Sequence, residues 1–171
     1  MTRNLNERLD QILPKIMSND FLAGKGLGNE IGFWIFDYLP QDELIVRKHI
    51  DFLMAQLPMQ RPGLRVAHVN LFDLMVDYLR DRKLLDKTFE MQRAKGDEAL
   101  LKALAAPLQG KNIAAFLAKQ HPPQDLDLML MSGVGSAYPL LRSHALLNNL
   151  HPIMGETPLV VFYPGAYDGQ S

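Results

Sequence analysis

Four short apolar runs, separated by longer amphipathic segments, constrain the fold of this chain more than any other feature. The first run, I-G-F-W-I-F-D-Y at residues 31–38, is apolar almost without interruption. A strand with one face in water alternates between apolar and polar residues, whereas a strand covered on both faces does not. We therefore predict β-strands at residues 31–38, 64–71, 126–131 and 158–164.

The segments between these strands have helical periodicity. Strands that alternate with helices form right-handed crossovers and a mostly parallel sheet. The sequence therefore predicts an α/β fold, with a mainly parallel sheet of about four strands, helices on both faces and an N-terminal helix before the first strand.

The predicted helices follow from apolar spacing and from the positions of proline. We expect helices at residues 5–16, with a kink at Pro14, and at residues 42–57, ending in a turn at 58–63. Further helical segments are predicted at residues 72–85, 87–95, 97–105 and 111–120. A last helix follows the third strand and contains Pro139 in its first turn.

Length and composition limit the class of protein. A chain of 171 residues is predicted to form one domain, residues 1–171, with a sizeable core. It has no cysteine, which excludes disulfides, thiolate metal sites and cysteine nucleophiles. The N-terminal residues lack the apolar core of a signal peptide, and no run reaches the roughly 20 apolar residues that cross a bilayer. We therefore expect a cytoplasmic protein that does not engage a membrane.

The charge balance argues against tight DNA binding by this chain alone. The formal net charge is -1, and the 18 lysines and arginines are scattered along the sequence. A nucleic-acid-binding surface needs cationic side chains gathered into a patch or stripe.

In a parallel sheet of this kind, ligands bind beyond the carboxyl ends of the strands. That rule gives a set of candidate ligand- or partner-binding residues along one edge: Asp37, Asn70, Ser132, Gly133, Gly135, Ser136, Tyr163, Gly165 and Asp168.

Two glycine loops invite comparison with phosphate-binding loops. S-G-V-G-S-A-Y-P, from Ser132 to Pro139, lacks both the lysine of a P-loop and the third glycine of a dinucleotide-binding turn. We therefore interpret it as a tight strand-to-helix turn, with a phosphate cradle as the alternative. G-K-G-L-G-N-E contains Lys25 but precedes its strand, so a connector is favoured over a partner-binding or active-site loop.

No histidine pattern indicates catalysis or metal binding. His49 and His144 fall on apolar helical faces and are predicted to pack in the core. Ser143 and His144 are adjacent on a helix, so they point about 100° apart and cannot form a nucleophile and base pair. Arg142 and Asn149 share a polar strip that could face a partner, a phosphate or water.

The order of several motifs resembles the BrxB family of bacterial BREX phage-exclusion systems. The matching segments are G-K-G-L-G-N-E-I, F-D-Y-L-P-Q-D-E-L, V-N-L-F-D-L, G-V-G-S-A-Y-P-L-L-R-S-H-A-L-L-N-N-L and P-L-V-V-F-Y-P-G-A-Y-D-G-Q-S. They run through nearly the whole chain in order. The resemblance leads us to expect a further C-terminal element after Ser171.

The resemblance implies a component of a multi-protein antiviral system that blocks phage DNA replication while host DNA is marked by methylation. Such a component acts beside a PglZ-like protein of alkaline-phosphatase fold, a BrxC-like ATPase and a PglX-like adenine methyltransferase. It implies a small non-catalytic member, and hence no catalytic residue, metal or cofactor.

Two functions therefore follow as hypotheses. The favoured one is an assembly or adaptor subunit that binds another BREX protein, first of all the PglZ-like one. The alternative is a nucleotide- or phosphate-binding enzyme or sensor that uses the sheet edge. The sequence leaves enzymatic activity and self-association open.

Overall fold

The protein is an α/β structure with helices on both faces of a four-stranded parallel sheet. The computed structural model describes residues 4–24 and 32–166. Within them the elements run in chain order as α1 (Leu5–Asp10), α2 (Ile12–Ile16), α3 (Asn19–Leu22), β1 (Phe33–Tyr38), α4 (Glu43–Gln60), β2 (Val66–Asn70), α5 (Leu71–Asp81), α6 (Leu85–Leu104), α7 (Gly110–Gln120), β3 (Leu128–Ser132), α8 (Val134–Ala137), α9 (Ser143–Met154) and β4 (Leu159–Pro164). Short 3-10 turns, Pro40–Asp42 and Pro123–Asp125, precede α4 and β3.

The sheet has the strand order β1-β4-β3-β2, and every pair is parallel. The two central strands, β3 and β4, are the most apolar, and all five residues of β3 are buried. Continuous burial of this kind requires cover on both faces. The predicted fold class is therefore confirmed, including the N-terminal helix.

Two apolar clusters fill the space between the sheet and its helices. On one face, α1, α2 and α4 pack against the sheet, with Ile12, Leu53 and Phe162 fully buried. On the other face, α5 to α9 surround Met131 and Val161. Successive residues of a strand point to opposite faces, so each central strand contributes to both clusters.

The structure corrects three predicted helix boundaries. The N-terminal helix is three short helices, and Pro14 lies in the first turn of α2, where its missing N–H would have no partner. Helix α4 continues through Pro58 to Gln60, because a proline in the last turn removes only one hydrogen bond. Helix α5 ends at Asp81, where Lys83 takes a positive φ of 58° and turns the chain.

The predicted last helix is also wrong at its start. A four-residue helix, α8, ends at Ala137, and the next residue, Tyr138, is extended, with φ and ψ of -70° and 140°. Proline disfavours the helical region for the residue before it, and Pro139 follows Tyr138. Helix α9 therefore begins only at Ser143, and Arg142 is its N-cap residue rather than part of the helix.

Candidate functional site

The carboxyl ends of the parallel strands meet at one edge of the sheet, as the sequence predicts. The register places Asn70 beside Ser132 on β2 and β3, and Asp37 beside Tyr163 on β1 and β4. Gly133, Gly135 and Ser136 follow β3 directly. Gly165 follows β4, and its N–H donates to the Tyr38 carbonyl at 2.7 Å. Lys25 and Asp168 lie outside the described residues.

Asn70 and Gly133 fit closely together at this edge. The Asn70 side-chain oxygen accepts hydrogen bonds from the N–H groups of Phe72 (3.0 Å) and Asp73 (3.3 Å), and so caps α5. Gly133 has a φ of +74°, and a Cβ atom there would stand 2.2 Å from that same oxygen. Glycine is thus required at this position both by backbone conformation and by the neighbouring cap.

Gly135 and Ser136 belong to α8, beside the end of β4. A Cβ atom at Gly135 would stand 2.8 Å from the Pro164 ring. Ser136 is exposed. With only four residues, α8 offers too short a helix to concentrate positive potential at its N-terminus. The glycine loop therefore has the contacts of a packed turn.

The buried Ser132, one of the predicted edge residues, pairs with the half-buried His68, a contact that the sequence did not reveal. His68 Nε2 lies 2.7 Å from Ser132 Oγ, and Ser132 is 5% exposed. Burial lowers the pKa of His68 below its usual value, with smaller opposing effects from Asp51 and Asp73. The imidazole is therefore neutral near pH 7 and has the geometry of a serine–base pair.

This pair lacks two features of a nucleophilic site. Among the described residues, the hydrogen bonds of His68 include none to a carboxylate that would orient the ring. Ser132 is also almost inaccessible, so a substrate carbonyl could not approach its oxygen without a rearrangement. The hydrogen bond therefore satisfies the buried Ser132 hydroxyl and one nitrogen of the half-buried His68 ring.

Asp37 is held by the N-terminal helices. Arg8 donates to both the Asp37 carboxylate (2.7 Å) and its backbone carbonyl (2.6 Å), and the Arg8 guanidinium lies 4.7 Å from the centre of the Phe36 ring. Both residues line an open groove of about 930 Å³ between α1 and β1. The neighbouring Tyr38 hydroxyl donates to Glu43, and burial raises the pKa of Tyr38 far above its usual value.

Arg142 and Asn149 line a separate cleft of about 600 Å³ between α6, α7 and α9. Lys111, near the start of α7, lines it as well. Asn149 donates from its side chain to the Ala145 carbonyl within α9, at 2.7 Å. The two predicted residues thus share a cleft, although they do not share a helical strip.

Several polar side chains at this edge of the sheet already have partners within the chain. Asn70 caps a helix, Ser132 pairs with His68 and Asp37 forms an ion pair with Arg8, whereas Ser136 is exposed. Within residues 4–24 and 32–166, no group of three or more histidine, aspartate or glutamate side chains is placed to hold a metal ion. In the same part of the chain, no helix combines the length and the apolar character that crossing a bilayer would need.

Comparison with known proteins gives one family match and two relatives that are similar over nearly the whole of this chain. A family model described as BREX protein BrxB matches residues 67–171. A protein of Bacillus cereus (strain H3081.97), named BREX protein BrxB, is 40% identical over 171 residues, which cover 98% of this chain and 88% of the relative. A protein of the same name from Escherichia coli O9:H4 (strain HS) is 42% identical over 165 residues, 96% of this chain and 81% of the relative. No solved structure matches the chain.

Proposed function

Because the chain belongs to the BrxB family of BREX proteins, a membership that implies antiphage defence, we propose that it is a non-catalytic assembly or adaptor subunit. In this proposal it binds another BREX component in the cytoplasm, first of all the PglZ-like protein. The BrxC-like ATPase and the PglX-like methyltransferase are the next partners to consider.

One observation carries this proposal. Three polar side chains at the ligand-binding edge, those of Asn70, Ser132 and Asp37, are already engaged by the chain itself. A catalytic edge would instead present an accessible nucleophile, or donors aimed into an open pocket. The exposed surface of the chain remains available for binding another protein, as an adaptor requires.

Co-purification tests the partner. The tagged chain should be expressed in turn with each of the other BREX proteins of the same system, and a stable binary complex with the PglZ-like protein is expected. If every pairing elutes as separate proteins, the adaptor proposal fails.

A pair of substitutions tests whether the role is non-catalytic. Ser132→Ala removes the only serine oxygen shown in contact with a histidine base among the described residues, and His68→Gln removes the base. If the chain is an adaptor, both variants should retain phage protection and the binary complex, provided that their melting temperatures show them folded. Loss of protection in folded Ser132→Ala, with the complex intact, would identify an enzyme.

The cleft at Arg142 favours the alternative, a nucleotide- or phosphate-binding sensor. Lys111 and Arg142 are two cationic side chains on its lining, and such groups bind phosphate by charge-assisted hydrogen bonds. Thermal melting with and without ATP, GTP and inorganic phosphate tests it. A ligand-induced rise in melting temperature that disappears in Arg142→Ala would support the sensor, and loss in Ser136→Ala instead would place the ligand at the glycine loop.

A further inference from the structure

Helix α4 has an apolar outer face in addition to the face that packs on the sheet. The outer face consists of Leu44, Ile45, Phe52 and Met59, which are 70%, 45%, 46% and 73% exposed. Its inner face is the buried stripe of Val46, Ile50, Leu53 and Leu57. A surface helix that packs on one side normally carries polar residues on the other, so this second apolar face is unusual.

The spacing on the outer face is that of a helix-pairing seam. Ile45, Phe52 and Met59 follow each other at intervals of seven residues, and successive members of such a series lie about 20° apart around a helix. The exposed Ala55 lies between the last two of them. A seven-residue apolar repeat is the pattern with which two helices pack side by side.

The seam is also symmetric, because Phe52 lies midway between Ile45 and Met59. When two copies of a helix pack antiparallel about a twofold axis, each residue faces its mirror position in the other copy. With the axis at Phe52, Ile45 of each chain would face Met59 of the other. We propose that the outer face of α4 is a homodimer interface in which α4 pairs antiparallel with α4 of a second copy.

The charges on the seam suit this arrangement. Lys48 would face the neutral Gln56 of the second copy rather than another lysine. On the same rim, Lys48 and the second copy's Asp51 would be offset by five residues, or about 7.5 Å along the axis, within reach of a lysine side chain. In a parallel pairing the two Lys48 side chains would instead face each other, which is unfavourable.

The size of the surface indicates a modest affinity. An 18-residue helix is about 27 Å long, shorter than needed for the roughly 800 Å² per partner of a standard interface. A groove between α1 and α4, about 460 Å³ in volume and lined by Ile45, His49 and Phe52 with Leu9 and Asp10, extends the contact area. We expect a dimer with a dissociation constant roughly in the micromolar range. The proposal does not depend on the adaptor role.

Sedimentation of the isolated chain tests the dimer. The wild type should change from monomer to dimer as its concentration rises through the micromolar range. Phe52→Glu should remain monomeric at every concentration, because it would place two carboxylates at the axis. Phe89→Glu is the matched control, since Phe89 is 49% exposed on α6, and it should dimerise like the wild type. A wild type that stays monomeric throughout, or a dimer that Phe52→Glu leaves intact, overturns the proposal.

Cross-linking tests the antiparallel register and does not depend on the charged variant. The chain has no cysteine, so Ile45→Cys and Met59→Cys each introduce a single thiol. A short bismaleimide should link the two variants when they are mixed and should link neither variant to itself. Cross-links within each variant alone would show a parallel pairing, and no cross-link in any mixture would show that another face mediates association. Either result contradicts the proposal.

Discussion

At the residue scale, the contact between Gly133 and Asn70 determines how β2, β3 and α5 meet. The sequence indicates Asn70 as a candidate binding residue because it ends a predicted strand, and Gly133 because it lies in a glycine loop. Their contact depends on the pairing of β2 with β3, in which Asn70 lies beside Ser132. The sequence pattern therefore indicates both residues, but it does not show that the Asn70 side chain restricts position 133 to glycine.

Alanine at Gly133 should destabilise the fold by more than backbone strain alone. We expect Gly133→Ala to lower the free energy of unfolding by about 2 to 4 kcal/mol, because the new Cβ would collide with the cap of α5 as well as forcing a positive φ on a non-glycine residue. Gly63→Ala is the control, since Gly63 has a φ of +87° and open space around it. It should cost only about 1 kcal/mol. Equal losses in urea denaturation would show that the contact with Asn70 is unimportant.

A double-mutant cycle should show that these two residues are coupled. Asn70→Ala alone should cost about 1 kcal/mol by uncapping α5. In the double variant the obstructing side chain is gone, so the loss should be smaller than the sum of the single losses by about 1 kcal/mol. Additive losses would contradict the close fit.

The half-buried His68 should make stability depend on pH on the acidic side of neutrality. Its pKa in the folded protein is lowered by burial, so the unfolded chain binds the proton more readily. Stability is therefore full above the unfolded value of about 6.5 and falls as pH decreases from there toward the folded value. We expect His68→Gln to reduce this fall in denaturation curves between about pH 7 and 5. The fall should not vanish, because burial also lowers the pKa of His49. An unchanged pH dependence in His68→Gln would contradict this account.

At the scale of elements, the strands were predicted better than the helix ends. The central strands are buried on both faces and therefore appear in the sequence as apolar runs. The observed bounds of β3 and β4 differ from the predicted ones by no more than two residues. Where a helix ends depends on small differences in free energy between continuing the helix and leaving it. Pro58 is tolerated inside α4, whereas Pro139 separates α8 from α9, and local pattern alone does not distinguish these outcomes. The pairing of His68 with Ser132 joins residues 64 positions apart and required the strand register.

The two faces of α4 should respond very differently to truncation. Leu53 is fully buried against the sheet, so Leu53→Ala should cost about 2 to 5 kcal/mol through lost contacts and a cavity. The adjacent Phe52 points outward, and Phe52→Ala should change the stability of the monomer by no more than about 0.5 kcal/mol. Denaturation at low protein concentration, where association is negligible, measures both. A large loss in Phe52→Ala under these conditions would show that the outer face supports the monomer fold.

At the scale of the whole molecule, the residues at the sheet edge do not by themselves identify the function. The fold brings most of the predicted edge residues together, but it uses them to join strands to helices. Family membership then supplies the defence context. The outer face of α4 and the cleft at Arg142 are two surfaces that could bind a partner or a ligand.

The distribution of charge over the molecule bears on whether the chain could itself bind phage or host DNA. The net charge is -1, and within the described residues five cationic side chains, those of Arg8, Arg47, Arg65, Arg80 and Lys102, are in ion pairs with carboxylates. Each paired cation would have to give up a carboxylate to contact a phosphate, which reduces the gain from counterion release.

We therefore expect the isolated chain to bind short duplex DNA with a dissociation constant in the micromolar range or weaker at physiological salt, and without sequence preference. Fluorescence anisotropy with two unrelated duplexes, repeated over a series of salt concentrations, measures the affinity, its sequence dependence and the number of phosphate contacts. The predicted result is weak binding that is the same for both duplexes and decreases as salt rises. Nanomolar binding to one duplex alone would require a cationic surface that these ion pairs do not provide, and would make DNA recognition part of the role of this chain in defence.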